Sequence, residues 1–271
     1  MGLFSRKETE GVDSKRLLAI ANELLAQGSY EEAFGFYKVM AESGNVADAQ
    51  FNLAICYATG KGCNKDYFLA ARWFQQAYVY GIDDAQNCIK KVYSDYILEV
   101  LDKPFSYEDV YEKTVDFVRL AQIDENDEEQ ANELLCSAGK HCLYALKDHI
   151  KARILFRTSA EFGHYAEGQN GLGIIYCAGV GIEKSDVVAL YWWNKAEEQG
   201  HELARKDALG LIEYYTERMT DEEFEEMLLP LVNWCKTGTE HIPKDLEKAA
   251  YWEEMLSEEN TIRFIDRYAA G

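Results

Sequence analysis

Residue types that could support chemistry are scattered along this chain of 271 residues, and Cys136, His141 and Cys142 come nearest to a ligand cluster. Zinc sites in proteins are built from thiolates and imidazoles held in tetrahedral sets. On one helix these three side chains would point in divergent directions, and no further ligand lies close by in the sequence. We therefore expect no metal site and no cofactor.

Motifs for nucleophilic, phosphate-binding or dinucleotide-binding chemistry are missing. The sequence has no His-Glu-x-x-His, no Gly-x-Ser-x-Gly and no Walker loop. Its Gly-x-Gly stretches, at Gly60 and Gly179, are not followed by the Walker spacing. Paired carboxylates are abundant, but an acidic run in a loop is usually a solvated one. We expect no catalytic residues and a protein that is not an enzyme.

The composition points to helices that would have to position any site. Only 3 prolines occur, β-branched runs are scarce, and Ala, Leu, Glu, Lys and Tyr recur at helical spacing. The net charge of −20 comes from 48 acidic and 28 basic residues. Such a surface repels phosphate backbones and anionic lipids. Nucleic acid and membrane are thus poor partners, whereas a basic protein or peptide suits the charge; a plain solvated acidic surface is the alternative.

The termini and the cysteines favour a cytoplasmic chain. Its 7 cysteines are odd in number and lack a repeated pair spacing, which argues against a disulfide framework. The first residues are too polar for a secretory signal, although export by another route stays open. Residues 1–13 are predicted to be a disordered leader, and residues 14–271 a single helical domain.

Two stretches, residues 47–81 and 166–200, are copies of one another at an offset of 119 residues. Each holds two apolar helical patterns joined by a Gly-x-Gly loop. The offset equals about three units of roughly 40 residues, the period of a two-helix repeat. The residues that match across the two copies are a small set of apolar, glycine and polar positions: Ala47/Ala166, Gln50/Gln169, Leu53/Leu172, Ile55/Ile174, Tyr57/Tyr176, Gly60/Gly179, Gly62/Gly181, Lys65/Lys184, Ala70/Ala189, Trp73/Trp192, Ala77/Ala196 and Gly81/Gly200.

The matching positions have a physical logic. Small residues let two helices approach closely, and Trp73 and Trp192 are expected to fill the groove between units. The glycines supply the positive φ of a tight helix exit, and Asp66 is placed to cap the second helix. Most of the 18 tyrosines are expected to pack, with Tyr57, Tyr176, Tyr78, Tyr191 and Tyr251 at repeat positions.

A third, partial copy lies near the C-terminus. Lys244-Asp245, Ala249 and Trp252 reproduce the spacing of the second helix, and Thr239 and His241 are expected where the two glycines would stand. Residues 29–44 and 148–163 look like isolated second helices. Residues 221–236 have two possible registers, because the offset makes them a second helix and the loop that follows makes them a first helix.

This pattern resembles the Sel1-like repeat, a relative of the tetratricopeptide repeat. The resemblance implies an all-α fold: a right-handed α-α superhelix, or solenoid, of about six to seven antiparallel helix pairs. It also implies a non-enzymatic scaffold or adaptor that holds a peptide or protein on a concave face lined by first helices.

Under that resemblance, the candidate binding residues are exposed first-helix positions that the repeat does not prescribe. They are Phe51, Asn52, Ile55, Asn170 and Ile174. Related repeats use an Asn at the position of Asn52 to hold peptide backbone; the alternative is a solvated polar residue.

Two other functions remain open. One is a small-molecule-binding or hydrolase-like repeat protein, because some cysteine-rich relatives bind β-lactams; their regular disulfide pairs are missing here. The other is a secreted host-interaction factor, which would need an export signal that the sequence does not display.

Overall fold

A computed structural model describes residues 14–43, 46–123, 126–257 and 264–270. The expected leader, residues 1–13, lies outside these ranges. Within them the chain forms fourteen α-helices and one π-helical segment, and no strand. The expectation of an all-α fold is confirmed. The helix patterns read from the sequence all correspond to helices of the structure.

The chain divides into two compact units, Met1–Ala138 (unit 1) and Gly139–Gly271 (unit 2). Unit 1 contains the helices α1 (Ser14–Ala26), α2 (Tyr30–Ser43), α3 (Ala47–Thr59), α4 (Tyr67–Val79), α5 (Asp84–Leu101), α6 (Tyr107–Ala121) and most of α7 (Asp127–Lys140). Unit 2 contains the π-helical segment His141–Leu146 and the helices α8 (His149–Glu161), α9 (Ala166–Ala178), α10 (Asp186–Glu197), α11 (Glu202–Thr216), α12 (Asp221–Thr237), α13 (Leu246–Met255) and α14 (Phe264–Ala270).

The helix pair α3/α4 shows how one repeat closes. Gly60 ends α3 with φ 72°, and its N–H donates to the Cys56 carbonyl at 2.8 Å. The backbone N–H of Asp66 then donates to the carbonyl of Tyr57 at 3.0 Å, which ties the end of the loop to the first helix. The Asp66 carboxylate accepts from two N–H groups of the first turn of α4, so it is the predicted N-cap.

The same arrangement recurs in α9/α10 of unit 2. Gly179 ends α9 with φ 65°, and the N–H of Ser185 donates to the Tyr176 carbonyl at 3.0 Å. Ser185 takes the place of the capping Asp, and its hydroxyl accepts from the N–H of Val188 at 3.3 Å. Two copies that share little sequence outside the repeat positions therefore close through the same hydrogen bonds.

The second glycine of the loop is needed for close approach to a neighbouring helix. Gly62 has φ 78°, and a Cβ at this position would lie 2.2 Å from the carbonyl oxygen of Tyr30 at the start of α2. Since no side chain can occupy that space, the Gly-x-Gly spacing serves packing between consecutive repeats.

The helices α12 and α13 form the third copy, and they correct one expectation. The N–H of Gly238 donates to the Trp234 carbonyl, as that of Gly60 does to Cys56, and the N–H of Asp245 reaches the carbonyl of Cys235 at 2.8 Å. Gly238 therefore stands at the first glycine position, which had been expected at Thr239. The loop is one residue longer than in the other copies, and α12 is a first helix.

The core side chains are mostly those that the repeat prescribes. Trp192 is 2% exposed and Trp252 is fully buried, whereas Trp73 is only half-buried. Five tyrosines are predicted to pack, and the prediction is wrong for Tyr78, whose side chain is 38% exposed. Its counterpart in the other copy is Glu197, so this position is not a core position in either unit.

The helix α14 closes the C-terminal end of unit 2. Phe264 is fully buried and meets the ring of Phe224 edge-on, with centroids 5.1 Å apart. Tyr268 stacks on Trp252, and its hydroxyl donates to Glu197 Oε2 at 2.8 Å. These contacts cover apolar surface that α11, α12 and α13 would otherwise expose.

Candidate binding face on the first helices

Three side chains of unit 1 form a polar cluster: Asn22 and Asn52 on first helices, and Tyr37 on α2. The Tyr37 hydroxyl donates to Asn22 Oδ1 at 2.7 Å, and Asn52 Nδ2 donates to the same oxygen at a longer 3.4 Å. Burial raises the pKa of Tyr37 to about 12, with Cys56 adding to the effect, so its hydroxyl remains a donor at neutral pH. Asn22 lies on α1 and Asn52 on α3, so the cluster joins two neighbouring first helices.

The cluster leaves hydrogen-bonding groups directed to solvent. Asn22 is exposed and Asn52 is half-buried. Among the described residues, neither the Nδ2 group of Asn22 nor Oδ1 of Asn52 has a hydrogen-bond partner. A peptide backbone offers one acceptor and one donor per residue, and this pair of amides presents the complementary donor and acceptor.

The apolar candidates of unit 1 flank this cluster. Phe51 is half-buried and meets the ring of Phe74 edge-on at a centroid distance of 5.2 Å. Ile55, one turn further along α3, is also half-buried. Both side chains therefore keep some surface exposed, Phe51 while packing against the second helix of its own repeat.

Unit 2 places the corresponding residues differently. Ile174 is half-buried, as Ile55 is, but Asn170 is only 6% exposed and its Oδ1 has no hydrogen-bond partner among the described residues. Asn170 had been expected at an exposed position. The assignment of these five residues to a binding face stays a prediction.

The glycines of α9 explain part of this difference. A Cβ at Gly171 would lie 2.5 Å from Phe156 on α8, and a Cβ at Gly173 would lie 2.3 Å from Nε1 of Trp193 on α10. The large rings thus occupy the space next to the backbone of α9. In α3 the residues at these two positions are Asn52 and Ala54, which carry side chains of their own.

A charged bridge links Glu167 on α9 to Lys140 and His201. Glu167 on α9 accepts from Lys140 Nζ at 2.6 Å and from Nε2 of His201 at 2.8 Å. Nδ1 of His201 accepts the N–H of Ala204 at 3.2 Å, so Nε2 carries the proton that is donated to Glu167. Burial alone would raise the pKa of Glu167, but the two hydrogen bonds outweigh it and the pKa lies below its ordinary value.

Sequence reasoning missed both of these clusters. Asn22 lies on α1, which carries no copy of the repeat motif, so the offset gave no signal for it. His201 directly follows the second clear copy, residues 166–200, and so lies outside the repeat pattern. It caps the N-terminus of α11 and reaches back to α9.

Some classes of site find no support among the described residues. No three His, Cys, Asp or Glu side chains in these ranges are grouped so that they could hold a metal ion. None of the helices that the structure describes has the length and hydropathy of a membrane span.

Comparison with known proteins bears on the repeats. The profile of the Sel1 repeat matches residues 47–78, 139–164, 166–201 and 233–259. The first and third matches are the two copies found by the 119-residue offset, and the fourth supports α12 as a first helix. The second match pairs the end of α7 and the π-helical segment with α8.

Several solved structures are similar to the chain, and no curated protein matches it. A Sel1 repeat protein from Oxalobacter formigenes is 22% identical with a TM-score of 0.32, over 92% of this chain and 87% of that one. A protective antigen of uropathogenic Escherichia coli strains, which displays an SLR fold, is 20% identical with a TM-score of 0.28, over 95% of this chain and 56% of that one. With the repeat matched at four positions and its closing hydrogen bonds present in both units, the chain contains Sel1 repeats.

Proposed function

We propose that this protein is a non-enzymatic interaction scaffold that holds a basic peptide or protein segment on its first-helix face. The observation that carries the proposal is the amide pair of unit 1. Asn22 and Asn52 lie on neighbouring first helices and present an unbonded donor and an unbonded acceptor beside the half-buried Ile55. Repeat proteins of this kind use such extended faces for recognition.

The charge of unit 1 supports a basic partner. Residues 1–138 contain 24 acidic and 13 basic residues, so a positively charged segment would be attracted from a distance. A chain with this charge and with an odd number of unpatterned cysteines also suits the reducing cytoplasm, which we propose as its location. Cell fractionation with a tagged full-length chain would test that location.

Alanine substitution of Asn52 tests the binding face. Short Lys- and Arg-containing peptides on an array would first be screened against the full chain, and the best binder measured by fluorescence anisotropy. Asn52 would supply one of the two hydrogen bonds to peptide backbone, which contributes about 0.5–1.5 kcal/mol, so Asn52→Ala should weaken binding about two- to tenfold. Asn22→Ala is less diagnostic, because it also removes the acceptor of the buried Tyr37 hydroxyl.

The matched control is Asn233→Ala, which removes an exposed helical Asn from α12. It should leave the affinity unchanged. The proposal is wrong if no basic peptide binds, or if Asn52→Ala and Asn233→Ala weaken binding equally. A thermal-shift screen against metabolites that produced one specific, saturable shift would favour the small-molecule alternative.

A further inference from the structure

Three apolar side chains of unit 2 that lie within seven residues of the sequence are exposed, two in the turn that leads into α8 and one at the start of α8. Tyr144 and Ile150 are each 60% exposed, and Leu146 is 50% exposed. The neighbouring residues Cys142 and Leu143 are buried, so the segment has a packed side and an open side. Contiguous exposed apolar side chains of this kind mark interaction sites more often than scattered ones do.

The loop before α8 is shorter than in the clear copies of the repeat. In α3/α4 the N–H of Asp66 bonds to the carbonyl of Tyr57, nine positions earlier, whereas the N–H of Asp148 bonds to the carbonyl of Cys142, only six positions earlier. The loop with its two glycines is therefore absent from this repeat, and the exposed apolar side chains lie where it is missing.

The turn is also held firmly. The Cys142 carbonyl accepts the N–H of Lys147 and that of Asp148, the latter at 3.0 Å. Asp148 in turn caps α8 by accepting from the N–H of Lys151 at 3.0 Å. A surface whose backbone is fixed by such bonds loses little conformational entropy when a partner binds.

The charge around these side chains has the opposite sign to the rest of the protein. Residues 140–153 contain four Lys or Arg and one Asp, whereas the remainder of residues 139–271 contains 11 basic and 23 acidic residues. Lys147 is exposed within the turn itself, and Lys140 is exposed although it is paired with Glu167. The apolar side chains therefore lie in the one basic stretch of an acidic unit.

From this combination we infer that Tyr144, Leu146, Lys147 and Ile150 form a docking surface for a short acidic protein segment with apolar side chains. We call it the α8 turn surface. The apolar side chains would cover those of the partner, and Lys147 would face its carboxylates. The surface is separate from Asn22 and Asn52, so the inference stands or fails independently of the proposed function.

A short segment fits better than an anionic membrane. Charge interactions decay over about 8 Å at physiological salt, so a small peptide on the turn would experience mainly its local positive charge. A membrane plane would also face the surrounding acidic surface and be repelled by it. The surface is smaller than a standard protein interface, and we therefore expect weak, salt-sensitive binding.

Three labelled synthetic helical peptides test the inference with the full-length chain. The first carries Leu and Phe along one face and Glu elsewhere; the second replaces Glu by Lys; the third replaces Leu and Phe by Ser. Fluorescence anisotropy should show binding of the first alone, with the affinity falling as salt is raised. Leu146→Ser and Lys147→Glu should each weaken binding about tenfold.

The matched controls lie on α11 of the same unit. Leu203→Ser removes a side chain that is 63% exposed, and Lys206→Glu reverses an exposed charge. Neither should change the affinity, and Asn52→Ala should not change it either. Circular dichroism would verify that every variant remains folded, which these exposed positions should allow.

Other outcomes would overturn the inference. No binding of the first peptide, or equal losses in the variants and their controls, would show that the α8 turn surface has no such partner. Cosedimentation with phosphatidylserine-containing vesicles that depended on Leu146 would identify a membrane instead. Self-association in sedimentation velocity that disappeared in Lys147→Glu would identify a second copy of this chain as the occupant.

Discussion

Replacement of Trp192 by alanine tests how much one repeat-defining side chain contributes to the stability of unit 2. The ring is 2% exposed and meets Tyr191 edge-on at a centroid distance of 5.0 Å. Its Nε1 donates to the carbonyl of His241 at 3.2 Å, which links α10 to the loop before α13. The substitution would leave a cavity in the core and a carbonyl without its donor.

The magnitude follows from these contacts. Truncation of a buried Trp costs about 3–5 kcal/mol, and the lost hydrogen bond adds about 1 kcal/mol. Trp192→Ala should therefore lower the free energy of unfolding by about 4–6 kcal/mol. Trp73, at the same repeat position in unit 1, is only half-buried, so Trp73→Ala should cost about half as much. Since a domain is stable by about 5–15 kcal/mol, the first change is severe.

Urea unfolding followed by far-UV circular dichroism measures both changes. With a urea dependence of about 2 kcal/mol per molar, Trp192→Ala should lower the midpoint by about 2–3 M. Trp73 is the single tryptophan of residues 1–138 and the other four lie in residues 139–271. Tryptophan fluorescence of the Trp192→Ala protein therefore reports mainly on residues 139–271, whereas circular dichroism reports on the helices of both units.

Trp192→Phe is the matched control, because it keeps most of the ring and loses the Nε1 donor. It should cost about 1–2 kcal/mol. The reasoning is refuted if Trp192→Ala changes the unfolding free energy by less than about 0.5 kcal/mol, the size of a surface substitution. A larger loss in Trp73→Ala than in Trp192→Ala would refute the ranking by burial.

Two further predictions concern the loops and the charged bridge. Gly62→Ala should lower the free energy of unfolding in urea by about 2–4 kcal/mol, because φ is positive and the added Cβ would meet the carbonyl of Tyr30. Gly28 also has a positive φ but open space around it, so Gly28→Ala should cost only about 1 kcal/mol. Equal costs in the two variants would contradict the packing role of Gly62. The pKa of Glu167 is lower in the folded chain than in the unfolded chain. The contribution of ionised Glu167 to the free energy of unfolding is therefore complete above its pKa in the unfolded chain, and it is lost as the pH falls through its pKa in the folded chain. The stability advantage of the native chain over Glu167→Gln should therefore shrink on acidification to about pH 3, and a constant advantage would contradict the bridge.

Much of the fold could be predicted because the repeat leaves a dense pattern in the sequence. Asp66 caps α4 as predicted. An N-cap needs only a side chain that accepts a hydrogen bond from the N–H group three residues later, here that of Leu69. The spacing of Asp245, Ala249 and Trp252 likewise identified α13. Such signals are local and survive when the rest of a repeat has diverged.

The C-terminal register could not be read in the same way. The 119-residue offset makes residues 221–236 a second helix, and a single additional residue between Gly238 and Asp245 separately obscures the alignment of the loop with the earlier copies. The hydrogen bond from Asp245 to Cys235 resolves this, because it fixes which carbonyl the loop returns to. That contact depends on the path of the loop and not on residue type.

The candidate face was predicted as a set of positions, and its chemistry was not. Asn52 is half-buried, as a first-helix position should be, but its hydrogen bond to Asn22 crosses to a helix without the repeat motif. Asn170 has the same register as Phe51 and is nearly covered. Exposure depends on which neighbours are bulky, and for α9 these are Phe156 and Trp193.

The sequence by itself determined the helices, the pairing of those in the two clear copies and most of the residues that pack between them. These features follow from periodicity, capping and small-residue spacing, which act over a few residues along the chain. Only the tertiary structure decided which polar groups stay unbonded on the first helices, and that the loop before α8 exposes Tyr144, Leu146 and Ile150. Exposure and hydrogen-bond satisfaction belong to pairs of elements distant in sequence, so no local pattern can encode them.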